Sequence, residues 1–405
     1  MRGAKICYTR PIMILLAIET SCDETAVAIV KRARGKNVRF EILSHKVLSQ
    51  IDLHKEYGGV FPALAKREHA KALTQLIAEC LEEADLLVER TNTFHLPNAT
   101  RKKLELLLER EPEMLAAMKV LFEGIQKPAI DALAVTQGPG LEPALWVGIN
   151  GTQALHLVWD IDIYPINHME GHVIASILNN DAGIYEIPEI TFPACALLIS
   201  GGHTEIVRIP KLRSYKVIGK TKDDAVGEAF DKAARMLDLP YPGGPEISRL
   251  AEHARKEGLL TREDLRLPRP MLTSGDLNFS CSGLKTAVLT RVNKNKPLDD
   301  ITKRMLALEF ENSITDVIVS KVKQAMYETR AQTLIVGGGV SANTHIRFAL
   351  KELADNEGFT LFVPDKNLST DNALMIASTG LLHMAHEETP KVKLRANGSW
   401  SIEDC

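Results

Sequence analysis

Two imidazoles stand four residues apart in His168-Met169-Glu170-Gly171-His172, just after a strand end that carries Pro165. On a helix, positions i and i+4 share a face, so His168 and His172 are spaced to grip one metal ion. A glutamate directly after the first histidine would supply a zinc-peptidase base. Here Glu170 comes two positions on, about 200° around a helix of 3.6 residues per turn, and points off the shared face. The spacing therefore allows a metal site and argues against a peptidase built on it. An equal alternative is a metal-free structural pair at a helix start, because a metal needs at least a third ligand. Asp371 is a candidate by pattern, but just before a helix starting at Ala373 it reads better as an N-cap. His383 and His386, at i,i+3 on a polar helix end, read as solvated surface.

A second kind of chemistry is written in glycine. Ser200-Gly201-Gly202-His203-Thr204 follows the apolar run Ala194 to Ile199, and such a turn can aim backbone N–H groups and hydroxyls at a phosphate. Its plain reading is a β-hairpin. Gly337-Gly338-Gly339-Val340-Ser341-Ala342-Asn343 follows the strand Thr333 to Val336, where glycines let backbone approach a ligand at a helix start. Gln137 to Leu141 closes the strand Ala132 to Thr136 in a related way. None of these is a Walker loop or a Rossmann fingerprint. Asp231 precedes Arg235 by four residues and reads as half of an exposed ion pair. Tyr241-Pro242-Gly243-Gly244-Pro245 reads as a rigid helix stop.

These groups need a frame. Residues 12 to 18, the polar turn Glu19 to Thr25, and Ala26 to Val30 predict a hairpin, and residues 194 to 209 repeat its shape, so the chain holds two related halves of the α/β class. Helices are predicted at Phe61 to Leu81, Ala144 to Trp159, Asp224 to Leu237, Ile301 to Tyr327 and Ala373 to His383. Leu87 to Lys127, with charge packed around Leu104, Leu106, Leu107 and Leu108, reads as an inserted helical element on the surface. A chain of 405 residues, 45% apolar, implies two domains or more at roughly 150 residues each. No apolar run nears the ~18 residues of a membrane span. Six cysteines without CxxC spacing suit reduced thiols in a cytosol-like compartment. A formal charge of −3 is no global signature of nucleic-acid binding, so RNA would need a local basic patch or helper proteins; Lys46, Lys55, Lys66, Arg67 and Lys71 are a candidate patch, though such a run usually reads as a solvated face. Residues 1 to 12 read as an upstream extension or a short leader, with Met13 opening the first strand.

Taken in order, Ile18 to Thr25, the Gly138-Pro139-Gly140 loop, His168 to His172, Ser200 to Thr204, Asp223 to Lys232, Tyr241 to Pro245, Phe279 to Thr286, Gly337 to Asn343 and Thr370-Asp371-Asn372 resemble the TsaD family. That resemblance implies two actin-like (ASKHA) α/β lobes with a central nucleotide cleft and an inserted helical element. Expected bounds are 13–157 for the N-terminal lobe, 158–370 for the C-terminal lobe, and 371–388 for a helix packing back on the first lobe. It implies transfer of threonylcarbamoyl from threonylcarbamoyl-AMP to N6 of the adenosine beside the anticodon, in tRNAs reading codons that begin with A. His168, His172 and Asp371 would hold one iron or zinc ion. Leu198, Ile199, Ser200, Gly201 and Gly202 would hold the phosphate and carbamoyl side of the adenylate, and Asp231, Gly244 and Asn343 its ribose and adenine. No nucleophilic residue is required. Expected partners are tRNA and, in bacteria, a non-catalytic paralogue (TsaB-like) and a small ATPase (TsaE-like), with no membrane. The expected compartment is the cytoplasm, or a mitochondrion if residues 1 to 12 are a leader. The rival readings are a metallopeptidase, a small-molecule kinase or ATPase, and a non-catalytic nucleotide-binding scaffold.

Overall fold

A computed structural model describes residues 13–35, 37–386 and 394–405, so the leader considered for residues 1 to 12 lies outside the described residues. The apolar run before Glu19 forms β1 (Ile14–Glu19), which is antiparallel to β2 (Glu24–Ala33); β2 in turn pairs with β3 (Arg39–Ser49). A short α1 (Ile51–Lys55) and the long α2 (Pro62–Glu83) follow, Pro62 sitting where a missing N–H costs nothing. α3 (Asn98–Leu107) and α4 (Pro112–Gly124) precede β4 (Ala132–Gly138), α5 (Glu142–Trp159), β5 (Asp162–Asn167) and α6 (His168–Ser176). The hairpin β6 (Asn179–Asp181) and β7 (Ile184–Glu186) completes a seven-stranded sheet of order β5-β4-β1-β2-β3-β7-β6. β1 is central and parallel to β4, which explains why it is an unbroken apolar run.

The described residues divide into two compact units, and this sheet belongs to the one that gathers residues up to Leu53, Val60–Glu189 and Asp371–Asp404. The lobe boundary expected at 157/158 therefore moves to 189/190. β5 pairs in parallel with β4 from Ala132↔Asp162 onward, and β7 pairs with β3, so residues 162 to 186 complete the first sheet.

In the other unit, β8 (Ala194–Ile199), β9 (Thr204–Lys211) and β10 (Ser214–Lys220) form an antiparallel meander. α7 (Val226–Met236), α8 (Gly243–Lys256), α9 (Ser282–Lys294) and α10 (Asp300–Thr329) come next. They are followed by β11 (Thr333–Gly337), α11 (Thr344–Glu357), β12 (Thr360–Phe362) and α12 (Lys366–Ser369). The sheet order is β10-β9-β8-β11-β12, with β8, β11 and β12 parallel. Counted within each unit, the first five strands of both sheets thus run 3-2-1-4-5, the doubled arrangement of an actin-like α/β fold.

α13 (Ala373–His386) returns to the first unit and packs on β1, β2, β4 and β5, where Gly380 lets it approach closely: a Cβ there would lie 2.9 Å from that of Ala134. α2 and α5 cover the opposite face through Leu73, Ile77, Leu145 and Ile149, as strand alternation requires. The inserted element is less superficial than expected. Leu104, Met114, Met118 and Phe122 join that same core, and Phe122 meets Trp159 edge to face at 5.5 Å.

Candidate metal centre and glycine-rich loops

β5 ends at Asn167, whose side-chain oxygen accepts from the Met169 and Glu170 amides at 2.9 and 3.2 Å and so starts α6. This fixes His168 and His172 one turn apart on the buried side of the helix, ring centroids 4.7 Å apart. Oδ1 of Asp371 lies 3.4 Å from Nε2 of His168 and 3.2 Å from Nε2 of His172. Asp371 is not the cap of α13. Asn372 is, accepting from the Leu374 and Met375 amides at 3.0 and 3.2 Å, which leaves the Asp371 carboxylate for the histidines. All three donor atoms lie within 4.8 Å of one another.

Behind His168, Nδ1 faces Ser21 Oγ at 3.1 Å and Glu19 Oε2 at 3.3 Å. With its proton on Nδ1, the ring donates to these oxygens and presents Nε2 to the centre, the arrangement that orients metal-ligating histidines. Glu19 is fully buried and also accepts from the Ser21 amide at 2.5 Å and from Thr136 Oγ1. Burial opposes charge on His168, but the Asp371 and Glu19 carboxylates overcome it and hold the imidazole well above its ordinary value. Burial likewise opposes charge on Asp371, yet His168 and then His172 keep its carboxyl well below the usual range. The site is built around a positive charge.

Two imidazoles and a carboxylate suit iron or zinc, with positions left open, and do not suit magnesium, which prefers oxygen. The residues fit such an ion on one further observation. Nε2 of His172 is buried and makes no directed hydrogen bond, although the Asp371 oxygen is near. Glu170 takes no place there: it is buried and meets His383 Nε2 at 2.8 Å. His383 is accordingly a packed side chain and not the solvated residue its polar helix end suggested, while His386 Nδ1 lies 2.9 Å from the Leu382 carbonyl.

The residues expected to hold an adenylate all fall in the second unit. Leu198 and Ile199 are fully buried in β8 between β9 and β11, so contrary to expectation they present no surface to a ligand and only lead into the turn that follows. At the turn, the Ser200 amide donates to the His203 carbonyl at 2.9 Å and the His203 amide to Ser200 Oγ at 3.1 Å. A Cβ at Gly201, Gly202 or Gly244 would touch nothing, so these backbones are open to a ligand. Close packing surrounds them. A Cβ on Gly227 would lie 2.7 Å from the Ser200 carbonyl, and one on Gly338, at φ +88°, 2.5 Å from the Ile199 carbonyl. The start of α7 and the loop after β11 thus lie against the β8–β9 turn. Asp231 accepts from the Gly243 amide at 2.7 Å, joining α7 to the start of α8, and Arg235 donates to the Gly58 carbonyl. The Tyr241 to Pro245 turn, whose Tyr241-Pro242 bond is cis, opens α8 and so does more than stop a helix. Asn343 caps α11 and gives both amide hydrogens to protein, to Ser248 Oγ at 2.8 Å and Glu311 Oε1 at 2.7 Å. It organises the loop.

Sequence reasoning assigned no role to Glu19, Ser21, Asn167, Gly227 or Glu311. Asn167 followed three residues later by Glu170 is a cap-like signal that marks the first turn of α6. Of the basic cluster, Lys46 pairs with Glu83, Lys66 with Glu111, and Arg67 and Lys71 share Glu68, so much of its charge is met locally.

The fold and site define a class: an α/β protein of two sheet-bearing units, one with a His-His-Asp cluster whose histidines are buried and the other with open glycine turns. The family profile described as "TsaD: tRNA N6-adenosine threonylcarbamoyltransferase" matches residues 41–94 and 111–378. A Nitrosomonas europaea tRNA N6-adenosine threonylcarbamoyltransferase is 38% identical over 97% of this chain and 100% of its own length. Proteins of the same name from Bacillus subtilis (40%; 96% of each chain) and Burkholderia thailandensis (42%; 92% of this chain, 93% of its own) are also similar. The solved structure of full-length HypF in its phosphate- and nucleotide-bound form is similar at TM-score 0.49 and 10% identity, over 95% of this chain and 48% of that one. The chain belongs to the TsaD family and is a tRNA threonylcarbamoyltransferase. The unmatched stretch 95–110 is narrower than the expected insertion and contains the whole of α3. No described helix is long and apolar enough to cross a membrane.

Proposed function

We propose that this transferase moves threonylcarbamoyl from threonylcarbamoyl-AMP to N6 of the adenosine beside the anticodon in tRNAs reading codons that begin with A. The exocyclic amine attacks the carbamoyl carbonyl, a C–N bond forms, the C–O bond to phosphate breaks, AMP leaves and the amine gives up a proton to solvent. The observation that carries the reading is the convergence of His168, His172 and Asp371 from two distant segments, with His172 Nε2 left without a directed hydrogen bond. An iron or zinc ion held by these three would polarise the carbonyl and clamp substrate oxygens. Around it, Glu19 and Ser21 orient His168, and the burial of these residues and of His172 leaves Asp371 as the partly exposed edge of the site. The nucleotide part is taken by the Ser200 to Gly202 turn, which Leu198 and Ile199 lead into, and by Gly244 at the start of α8, in loops organised by Asp231 and Asn343, since open glycine N–H groups in a tight turn or at a helix start suit a phosphate.

tRNA is a substrate of this reaction. A non-catalytic paralogue and a small ATPase are proposed as partners, and the cytoplasm as the compartment. The test is transfer from threonylcarbamoyl-AMP to tRNA by purified protein with its partners, with and without added metal. Metal-stimulated transfer supports the reading. Full transfer by strictly metal-free protein overturns the metal's role, and no transfer under any condition overturns the substrate assignment.

A further inference from the structure

Residues 394–405 lie beyond the stretch matched by the family profile, yet they reach the loops that hold the metal centre. The Asn397 amide donates to the Gln137 carbonyl at 3.0 Å, and the Gly140 amide to the Gly398 carbonyl at 3.2 Å, so the tail lies along the Gly138-Pro139-Gly140 loop. The fit is steric as well. A Cβ on Gly138 would lie 1.9 Å from the Asn397 carbonyl, and one on Gly398 would lie 2.8 Å from that of Gly140. Under the same loop is Ser21: its carbonyl accepts from the Leu141 amide at 2.8 Å, and a Cβ on Gly140 would lie 2.7 Å from it. Ser21 is the residue whose hydroxyl faces His168.

The tail then meets Asn167. The side-chain amide of this fully buried residue donates to the Trp400 and Ser401 carbonyls, each at 3.3 Å, while its oxygen caps α6. An asparagine amide has distinct donor and acceptor ends, and here both are used: the donor end on the tail, the acceptor end on the helix that carries both histidines. Ile402 and Ala396 are buried, which anchors the segment on either side of these contacts.

We infer that residues 396–401 form a strap that sets the metal histidines through two positioning contacts, Asn167 at the start of α6 and the Gln137 to Leu141 loop behind Ser21. This rests on the metal reading of His168, His172 and Asp371. Among the described residues, the strap hydrogen-bonds to the cap and the loop and not to a proposed ligand. It acts by holding the cap and the loop that orient them, as outer contacts at metal sites commonly do.

The experiment titrates Co2+ into metal-free full-length protein, read by visible absorption, and compares two variants: deletion of residues 396–405, and Asn167→Ser. Serine keeps a cap acceptor but loses the amide that reaches the tail. Each variant is expected to bind Co2+ about 10- to 100-fold more weakly with an altered spectrum. The combined variant is expected to be no worse than the deletion, because the deletion already removes the contact that serine loses. A tail with a purely structural role would lower melting temperature and leave affinity and spectrum unchanged, and that result overturns the strap. Should the deletion fail to fold, Asn167→Ser decides alone, wild-type affinity and spectrum overturning it. Absence of Co2+ binding by the unaltered protein strikes down the metal reading itself, and this inference with it.

Discussion

Both units run their first five strands in the order 3-2-1-4-5, yet they finish the first strand in opposite ways. After β1 the turn is sealed: Glu19, Thr20 and Ser21 are each at most 1% exposed, and the groups offered are side chains. After β8 the turn is open at Gly201 and Gly202, and the groups offered are backbone amides. The ends of the parallel strands are where such sheets place ligands, so under the proposed function one position in one fold would serve two chemistries. What separates them is the source of the donors. Side-chain donors for a cation must be buried, oriented and electrostatically matched by residues from elsewhere, whereas backbone donors for an anion need little beyond glycine and a helix start.

The comparison breaks most sharply at His168. His168→Ala should cut transfer roughly 1,000-fold, the several kcal/mol of charge stabilisation that goes with a bound metal, while far-ultraviolet dichroism stays unchanged. Unaltered turnover and metal content in that variant would remove the first unit's claim to be a metal site. Glu19→Gln should weaken metal binding about 10- to 100-fold, because it takes away the carboxylate behind His168. Metal content after dialysis against graded chelator measures it, and retention equal to wild type counts against the orienting role.

In the second unit the contrast lies between open and packed glycines. Gly338→Ala should destabilise by about 1–3 kcal/mol, since φ is +88° and the new Cβ would press on the Ile199 carbonyl. Gly202→Ala should leave the melting temperature almost unchanged and raise KM for the adenylate. Equal melting of the two variants contradicts the proposed packing. The smallest effect is of pH on the metal-free protein. His168 is raised in the folded state, so its stabilisation is complete below its unfolded value of about 6.5 and fades as pH climbs through the raised value. The gap in melting temperature between wild type and His168→Ala should therefore narrow as pH rises above neutral. A widening gap would reverse the assigned charge.

Much of the frame was legible because it is local. Ala194 to Ile199, Thr333 to Val336 and the helices opening near Pro62 and Asp300 follow from apolar runs, capping residues and proline placement. The boundary at 189/190 was not legible, since β5 looks like any short strand until it pairs with β4. Asp371 shows the same limit at the site. A carboxylate just before a helix has an ordinary reading as its cap, and only the position of Asn372 shows that the cap lies one residue later.

By itself the sequence determined the two-half α/β plan, the i,i+4 histidines and the glycine turns, because each depends on spacing within one segment. Its ordered motifs also carried the resemblance to the family. Tertiary structure alone decided that Asp371 meets both histidines, that Glu19 stands behind one of them, that Glu170 is tied to His383, and that the tail lies against Asn167. These contacts join residues from 149 to 233 positions apart in the chain. Their energies come from burial and charge at a few ångströms, which no spacing rule along one segment can express.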